Sequence, residues 1–159
     1  MAMFVRYYTE LIASYEAAAA ALQNQPKQWL PLLSVQADER GQSLLGEVGF
    51  GSDGHRVQKR VQIELGEGRV SSGSRFLLPI SWQATGPSGL FPVLEGDLEV
   101  APLGRHHCQL SLSARYQPPF GLLGKAVDRA LLSRVAEATV KDFVERVADA
   151  LTLRLRLAS

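Results

Sequence analysis

The chain has 159 residues, 46% of them hydrophobic and 21% charged, with 17 Lys and Arg against 16 Asp and Glu for a formal net charge of +1. A chain of this size buries a core without staples or a structural metal, and its apolar content excludes a disordered polymer. Its charge balance provides no global field for phosphate backbones or anionic lipid, so no nucleic-acid partner is expected. Cys108 is the single cysteine, which rules out an intramolecular disulfide framework. The first ten residues, with Arg6, Tyr7, Tyr8 and Glu10 following a short apolar start, do not read as a secretory signal. The alanine run 17–21 falls far short of the roughly 20 apolar residues that cross a bilayer. The expectation is one cytoplasmic domain over residues 1–159 with no transmembrane segment.

Residues 3–13 alternate, with Met3, Val5, Tyr7, Thr9 and Leu11 on one side and Phe4, Arg6, Tyr8, Glu10 and Ile12 on the other, and predict a strand. Ser14 is an N-cap candidate for an alanine-rich helix over 15–23. Asn24-Gln25-Pro26 ends it, and Pro26 suits the first turn of a second short helix through Leu33, carrying Trp29 and Leu32. From about residue 35 the period changes to two. A strand is predicted over 44–50, followed by the turn Gly51-Ser52-Asp53-Gly54. Val57, Val61, Ile63 and Leu65 then alternate with Gln58, Arg60, Gln62 and Glu64. After Gly66-Glu67-Gly68 comes a second run, Val70, Ser72, Ser74, Phe76, Leu78, Ile80 and Trp82, so those glycines read as the turn of a hairpin. Pro79 requires that run to bend or to lie at a sheet edge. Residues 85–89 form a loop by their breakers. Leu94, Gly96, Leu98 and Val100, the turn at 102–105, and Cys108, Leu110, Leu112, Ala114 and Tyr116 make a second hairpin. Together these runs predict an antiparallel meander with one polar face, which needs a cover on the other.

Pro118-Pro119 stops the last strand, and residues 121–153 contain no proline. A helix of that length spans roughly 48 Å at ~1.5 Å per residue. The pairs Glu137 with Lys141 and Asp142 with Arg146 have the favourable i, i+4 order. Those pairs contribute tenths of a kcal/mol each, whereas burying an apolar side chain contributes about 1.5–3 kcal/mol, so docking on the sheet decides whether the helix forms. At about 100° per residue, Val140, Phe143, Val144, Val147 and Leu151 form a bulky stripe. Its backward extension reads Ala126, Arg129, Ala130, Ser133 and Ala136. The face expected on the sheet is thus bulky near the C-terminus and small near the N-terminus, leaving volume over a curved sheet. A displaced apolar set, Leu123, Val127, Leu131, Val135 and Ala138, is expected to be covered through a bend at 137–139, by the short helices, or by a second copy of the chain.

The order strand, two short helices, six-stranded meander and long terminal helix resembles the START/Bet v 1-like helix-grip superfamily, also called SRPBCC or the polyketide cyclase and dehydrase group. The strongest local resemblance is the strand-to-helix passage at residues 116–129, Tyr116-Gln117-Pro118-Pro119-Phe120-Gly121-Leu122-Leu123-Gly124-Lys125-Ala126-Val127-Asp128-Arg129. It is joined by Ser81-Trp82 and by Leu90-Phe91-Pro92 before the strand at 94–101. The resemblance implies an α+β fold in which a curved antiparallel sheet wraps a long C-terminal helix. It also implies an apolar cavity between them, in a group of hydrophobic-ligand binders, lipid carriers, cyclases and chaperone cofactors. These patterns are architectural, and the fold alone selects no activity.

No residue cluster marks a reaction. His106-His107-Cys108 is the one local group of metal-type ligands, but adjacent strand residues point to opposite faces and no second spaced pair accompanies it, so it reads as a strand start after a turn. Nothing marks Cys108 as an activated thiol. The glycines at 49–54 lack the Lys-Ser/Thr ending of a phosphate-binding loop. Asp128 and Arg129 read as a solvated face or local ion pair, or, if a cavity opens beside them, Arg129 would hold a ligand carboxylate or phosphate at its mouth. Phe76 and Trp82 share one strand face as core residues that also serve as a cavity wall. The expected ligand wall is Phe76, Trp82, Ala126, Arg129, Ala130, Ser133 and Ala136, with no cofactor and no metal. The leading expectation is a binder or carrier of a small apolar molecule. A cyclase/dehydrase-like enzyme is the alternative that converging acid and base groups would favour. An interaction module or homodimer is the alternative that the displaced helix stripe would favour.

Overall fold

Alternation over β1 (Met3–Leu11) becomes a strand whose even residues face solvent and whose odd residues turn inward, ending on buried Leu11. The structure, a computed structural model, describes residues 3–24, 44–50, 57–71, 73–84, 93–117 and 129–157. Ser14 caps α1 (Tyr15–Asn24): its Oγ accepts a hydrogen bond from the Ala17 amide at 3.2 Å. Ala18 and Leu22, four residues apart, are the buried contacts of that helix, which packs on the sheet and on the terminal helix. The strands that follow are β2 (Leu44–Phe50), β3 (Val57–Leu65), β4 (Arg69–Ser71), β5 (Arg75–Ala84), β6 (Val93–Pro102) and β7 (Cys108–Gln117), and α2 spans Arg129–Leu157. The predicted helix at 26–33, the turn at 51–54, the loop at 85–89 and residues 118–128 lie outside the described residues.

The sheet is antiparallel throughout, in the order β1-β7-β6-β5-β3-β2, with β4 pairing the first part of β5. The β5 hairpin differs from the sequence reading. Its turn lies at Gly73 and Ser74, both with left-handed φ (94° and 61°), and not at Gly66-Glu67-Gly68. The earlier glycines instead form a bulge. Leu65 pairs with Ile80 and Arg69 with Leu77, so three residues face two and the ladder gains one on the β3–β4 side. Gly66 and Gly68 allow the close approach this needs. A Cβ at Gly66 would sit 2.8 Å from Pro79 Cβ, and one at Gly68 would sit 2.6 Å from Phe76 Cζ. Pro79 therefore occupies an interior strand and not an edge. Its carbonyl accepts from the Gly66 amide at 2.8 Å. In an antiparallel ladder the N and O of one residue point the same way, so its missing N–H falls on the bulged side and the β6 ladder stays whole.

α2 is a single helix, and its backbone approaches the edge strands β1 and β2 and the neighbouring β7, but hardly approaches β3, β5 or β6. The sheet is accordingly cupped, holding the helix by its rims while its middle strands stand away. Gly96, in the middle of β6, supports that curvature. A Cβ there would run into the Ser113 carbonyl and lie 2.7 Å from Ala114 Cα, so only glycine lets β6 and β7 close up at this point. Between the two layers lies one apolar core, from Phe76, Ile80 and Trp82 on β5 through Leu98, Leu110 and Leu112 to Phe143, Val147 and Leu151 on the helix. The predicted bulky stripe Val140, Phe143, Val144, Val147 and Leu151 is buried in full. Asp142 pairs with Arg146 at 3.4 Å, one turn on.

Candidate functional site

Strand register arranges the inward side chains in rows across the cup. Met3, Tyr116, Leu94, Trp82 and Ile63 form the first row, Val5, Ala114, Gly96, Ile80 and Leu65 the second, and Tyr7, Leu112, Leu98 and Leu78 the third. The first and third rows carry large side chains over β7 and β6. The second carries Ala114 and Gly96 there, so the inner surface dips between Tyr116 and Leu94 on one side and Leu112 and Leu98 on the other. The helix passes obliquely over these rows along β1. Ser133 Oγ reaches Met3 Sδ in the first row at 3.5 Å, and Glu145 accepts a hydrogen bond from the Tyr7 hydroxyl in the third at 2.7 Å. The helical turn bearing Ala136 and Thr139 therefore passes the β1 rim between these two contacts. Thr139 turns its hydroxyl onto the Val135 carbonyl at 2.6 Å and leaves no unmet donor in the interior.

Trp82 and Phe143 meet with ring centroids 5.0 Å apart at 60°, a tilted aromatic contact that joins β5 to α2 across the core.

The residues expected in the ligand wall divide accordingly. Phe76 and Trp82 are buried on the inner face of β5, and Ala136 is buried on the helix at 4% exposure. Ser133 is half-buried, with its hydroxyl at Met3. Ala130 is a correction: it is exposed, on the same stripe as Arg134, Glu137 and Lys141. Seven helical residues fall about 20° short of two full turns, so Ala130 tracks with Glu137 and not with the buried face. Arg129 is the first described residue of α2, its side chain lying outside the described set, as does all of Ala126. Of the displaced apolar set, Val135 is buried and Ala138 half-buried within the chain itself, so at least that part needs no second copy to cover it.

Ser133 was in the expected wall, but the Tyr116 hydroxyl beside it escaped the sequence reading. Tyr116 is 1% exposed, and its hydroxyl donates to Met3 Sδ at 2.8 Å. Burial pushes the Tyr116 phenol up, a hydrogen bond with Ser133 draws it back, and the charge of Glu137 pushes it up again. The phenol thus stays a neutral donor. Alternation alone places Tyr116 and Ala114 inward, but their meeting with Met3 and Gly96 requires the sheet register.

His106 and His107 are exposed in the β6–β7 turn, where the His107 carbonyl accepts from the Leu103 and Gly104 amides at 3.0 and 3.1 Å. Cys108 is fully buried at the start of β7, and burial pushes its thiol up to about 11, the opposite of activation. Among the described residues no cluster of three or more metal-type ligands occurs, and no helix is long and apolar enough to cross a membrane. An open cleft of about 480 Å³ lies at the far end of α2, lined by residues such as Glu10, Ile12, Ser14, Thr152, Leu155 and Arg156. It includes none of the expected ligand-wall residues.

A cupped antiparallel sheet gripping one long terminal helix defines a helix-grip protein, and comparison with solved structures bears this out. A START superfamily protein from Mycobacterium smegmatis matches with a TM-score of 0.56 at 15% identity, covering 98% of this chain and 99% of that one. A conserved protein from Geobacillus kaustophilus matches with a TM-score of 0.61 at 14% identity over 96% of each chain. The ZhuI aromatase/cyclase from Streptomyces sp. R1128 matches with a TM-score of 0.59 at 14% identity over 100% of this chain and 99% of that one. The chain therefore has the START/Bet v 1-like helix-grip fold. No protein-family model matches its sequence, and no curated protein matches it either.

Proposed function

We propose that this protein binds a small apolar molecule between the cupped sheet and the N-terminal half of α2. The observation that carries the reading is the coincidence of small residues on both layers at one level. Ala114 and Gly96 are paired on the inner face of the sheet, and Ala136 lies on the buried face of the helix. Ile80, Leu94 and Trp82 supply apolar walls, and half-buried Ser133 and Met3 lie towards solvent as a mouth. An apolar hollow with a few polar groups at one end is the usual form of a small-molecule site. The fold is shared with a START superfamily protein and an aromatase/cyclase, which fits a site between sheet and helix but selects no reaction.

Native mass spectrometry of the purified protein, with thermal shift against a panel of aromatic and aliphatic probes, tests this. A retained small molecule, or a rise in Tm with probe concentration, is expected. In a Trp29→Phe background the emission of Trp82 should change as the probe enters. A protein that carries nothing, shows no thermal shift and keeps its Trp82 emission with every probe overturns the reading.

A further inference from the structure

We propose that the outer face of β1, β7 and β6 is a self-complementary docking surface for a second copy of this chain, with Arg6 of each copy set on Asp97 of the other. The surface lies on the opposite side of the sheet from the site proposed above and does not depend on it.

The outward residues of these strands form three level rows. Phe4, Arg115 and Glu95 share the first, Arg6, Ser113 and Asp97 the second, and Tyr8, Ser111 and Glu99 the third. Read along the strands, β1 is aromatic and basic, with Phe4 77% and Tyr8 57% exposed. β6 is acidic, with Glu95 exposed and Asp97 half-buried. The two strands flank β7 on opposite sides, each about 4.8 Å away. A two-fold axis in the plane of contact and along β7 therefore lays β1 of each copy on β6 of the other, row on row. Arg6 then meets Asp97 twice, and the contact is isologous.

The guanidinium positions favour this docking. Arg115 stands opposite Glu95 in the ladder, yet it lies over the Phe4 ring, 5.4 Å from its centroid, and so leans off the axis towards β1. There it faces Glu95 of the second copy and not the other Arg115. Arg6 lies over the Tyr8 ring at 5.8 Å. No ion pair among the described residues uses Arg6, Arg115, Glu95 or Asp97. Shape agrees with charge. The outer face of a cupped sheet is convex, so two such faces approach most closely along β7 and diverge towards β1 and β6. Small Ser111 and Ser113 sit on the line of closest approach, and Phe4, Tyr8 and the two arginines fill one widening flank. A nucleic acid fits this face less well. A guanidinium already covers one side of each ring, and the acidic residues of β6 repel phosphate.

Sedimentation velocity of the full chain over a concentration series tests this. At low salt the mass should rise from monomer towards dimer with concentration, and the dimer should weaken at about 1 M salt, where charges are screened within about 3 Å. Arg6→Glu and Asp97→Arg, each checked for an unchanged Tm, should each weaken dimerisation about tenfold or more, because like charges then meet across the axis. An equimolar mixture of the two variants should dimerise again, since each altered side chain then faces one of opposite sign and the two unaltered ones face each other. A folding defect in either variant would give no such recovery. A wild-type chain that stays monomeric at every concentration overturns the proposal. So does a dimer that keeps its affinity in both variants, and so does a variant mixture that stays monomeric. Binding of a fluorescein-labelled single-stranded oligonucleotide by a monomeric chain, lost in Arg6→Glu, would assign the face to nucleic acid and overturn the proposal as well.

Discussion

Between Val140 and Leu151 the terminal helix lays five large side chains into the cup, and Phe143 reaches across to Trp82. Between Arg129 and Ala136 the same helix turns Ala130 to solvent and Ser133 to the Met3 sulfur, and faces the dip with Ala136. Both halves belong to one helix over one sheet, so the contrast comes from side-chain volume and not from backbone path. A cupped sheet that touches a helix at its rims leaves a fixed gap at its centre. Where both layers supply bulk the gap becomes core, and the proposed site is placed where both supply small residues. Under the proposed function, stability and binding belong to different turns of one element, and perturbing each should move one property more than the other.

The most severe way to break the contrast is Phe143→Ala in the filled half. It removes a 2%-exposed aromatic ring and its partner contact, with an expected cost of about 3–5 kcal/mol in urea unfolding. A loss below about 1 kcal/mol would mean that the C-terminal half is not close-packed. Cys108 gives the next largest effect, from the start of β7, where it pairs with Leu11. Burial moves its thiol from 9.0 to about 11. Below pH 9 the folded and unfolded chains both keep the proton. Between pH 9 and 11 only the unfolded chain releases it, so stability falls with rising pH, by about 3 kcal/mol in total at about 1.4 kcal/mol for each pH unit. Comparison of stability-against-pH curves for the wild type and Cys108→Ala isolates this slope from that of other titrating groups. The native thiol should also resist iodoacetamide at pH 8 until denaturant is added.

Much of this was legible in the sequence because it is written at short range. The alternation of β1, the Ser14 cap, the β6–β7 hairpin and the stripe from Val140 to Leu151 each depend on residues a few positions apart. The β5 hairpin was misplaced because Gly66 and Gly68 imitate a turn. Pro79 is the residue that could have revealed the bulge, since an interior strand accommodates a proline where its neighbour carries an extra residue. Ala130 was misassigned because a stripe extended backward by a loose period drifts off the buried face within two turns. The dip and its polar end were illegible for a different reason. Tyr116 and Met3 are 113 positions apart, and Ala114 becomes significant only when the register sets it beside Gly96.

A smaller change in stability carries more information about the open half. Ala136→Leu adds bulk at a buried position. In a close-packed core such an insertion costs about 1–3 kcal/mol. Over the dip it should cost less than about 1 kcal/mol by urea unfolding while abolishing the response of Trp82 emission to apolar probes. A large loss of stability would show that the level of Ala136 is already full and would count against the proposed site.

The smallest effect is expected where the filled half meets the rim. Tyr7 donates to Glu145 at 2.7 Å at the solvent edge of β1 and α2. Its phenol is pushed up first by that hydrogen bond to the carboxylate, then by burial and by the charge of Glu145. The bond looks like a clasp between strand and helix, but solvent competes for both partners, and an exposed contact of this kind contributes about 0.5 kcal/mol or less. Docking of the helix is set instead by the buried stripe beside it, so Tyr7→Phe should leave the urea midpoint nearly unchanged. It should remove only the Tyr7 contribution to phenol titration measured by ultraviolet absorbance at high pH. A loss of several kcal/mol would place the grip on this hydrogen bond, and the division between a packed half and an open half would then no longer account for what holds α2 in the cup.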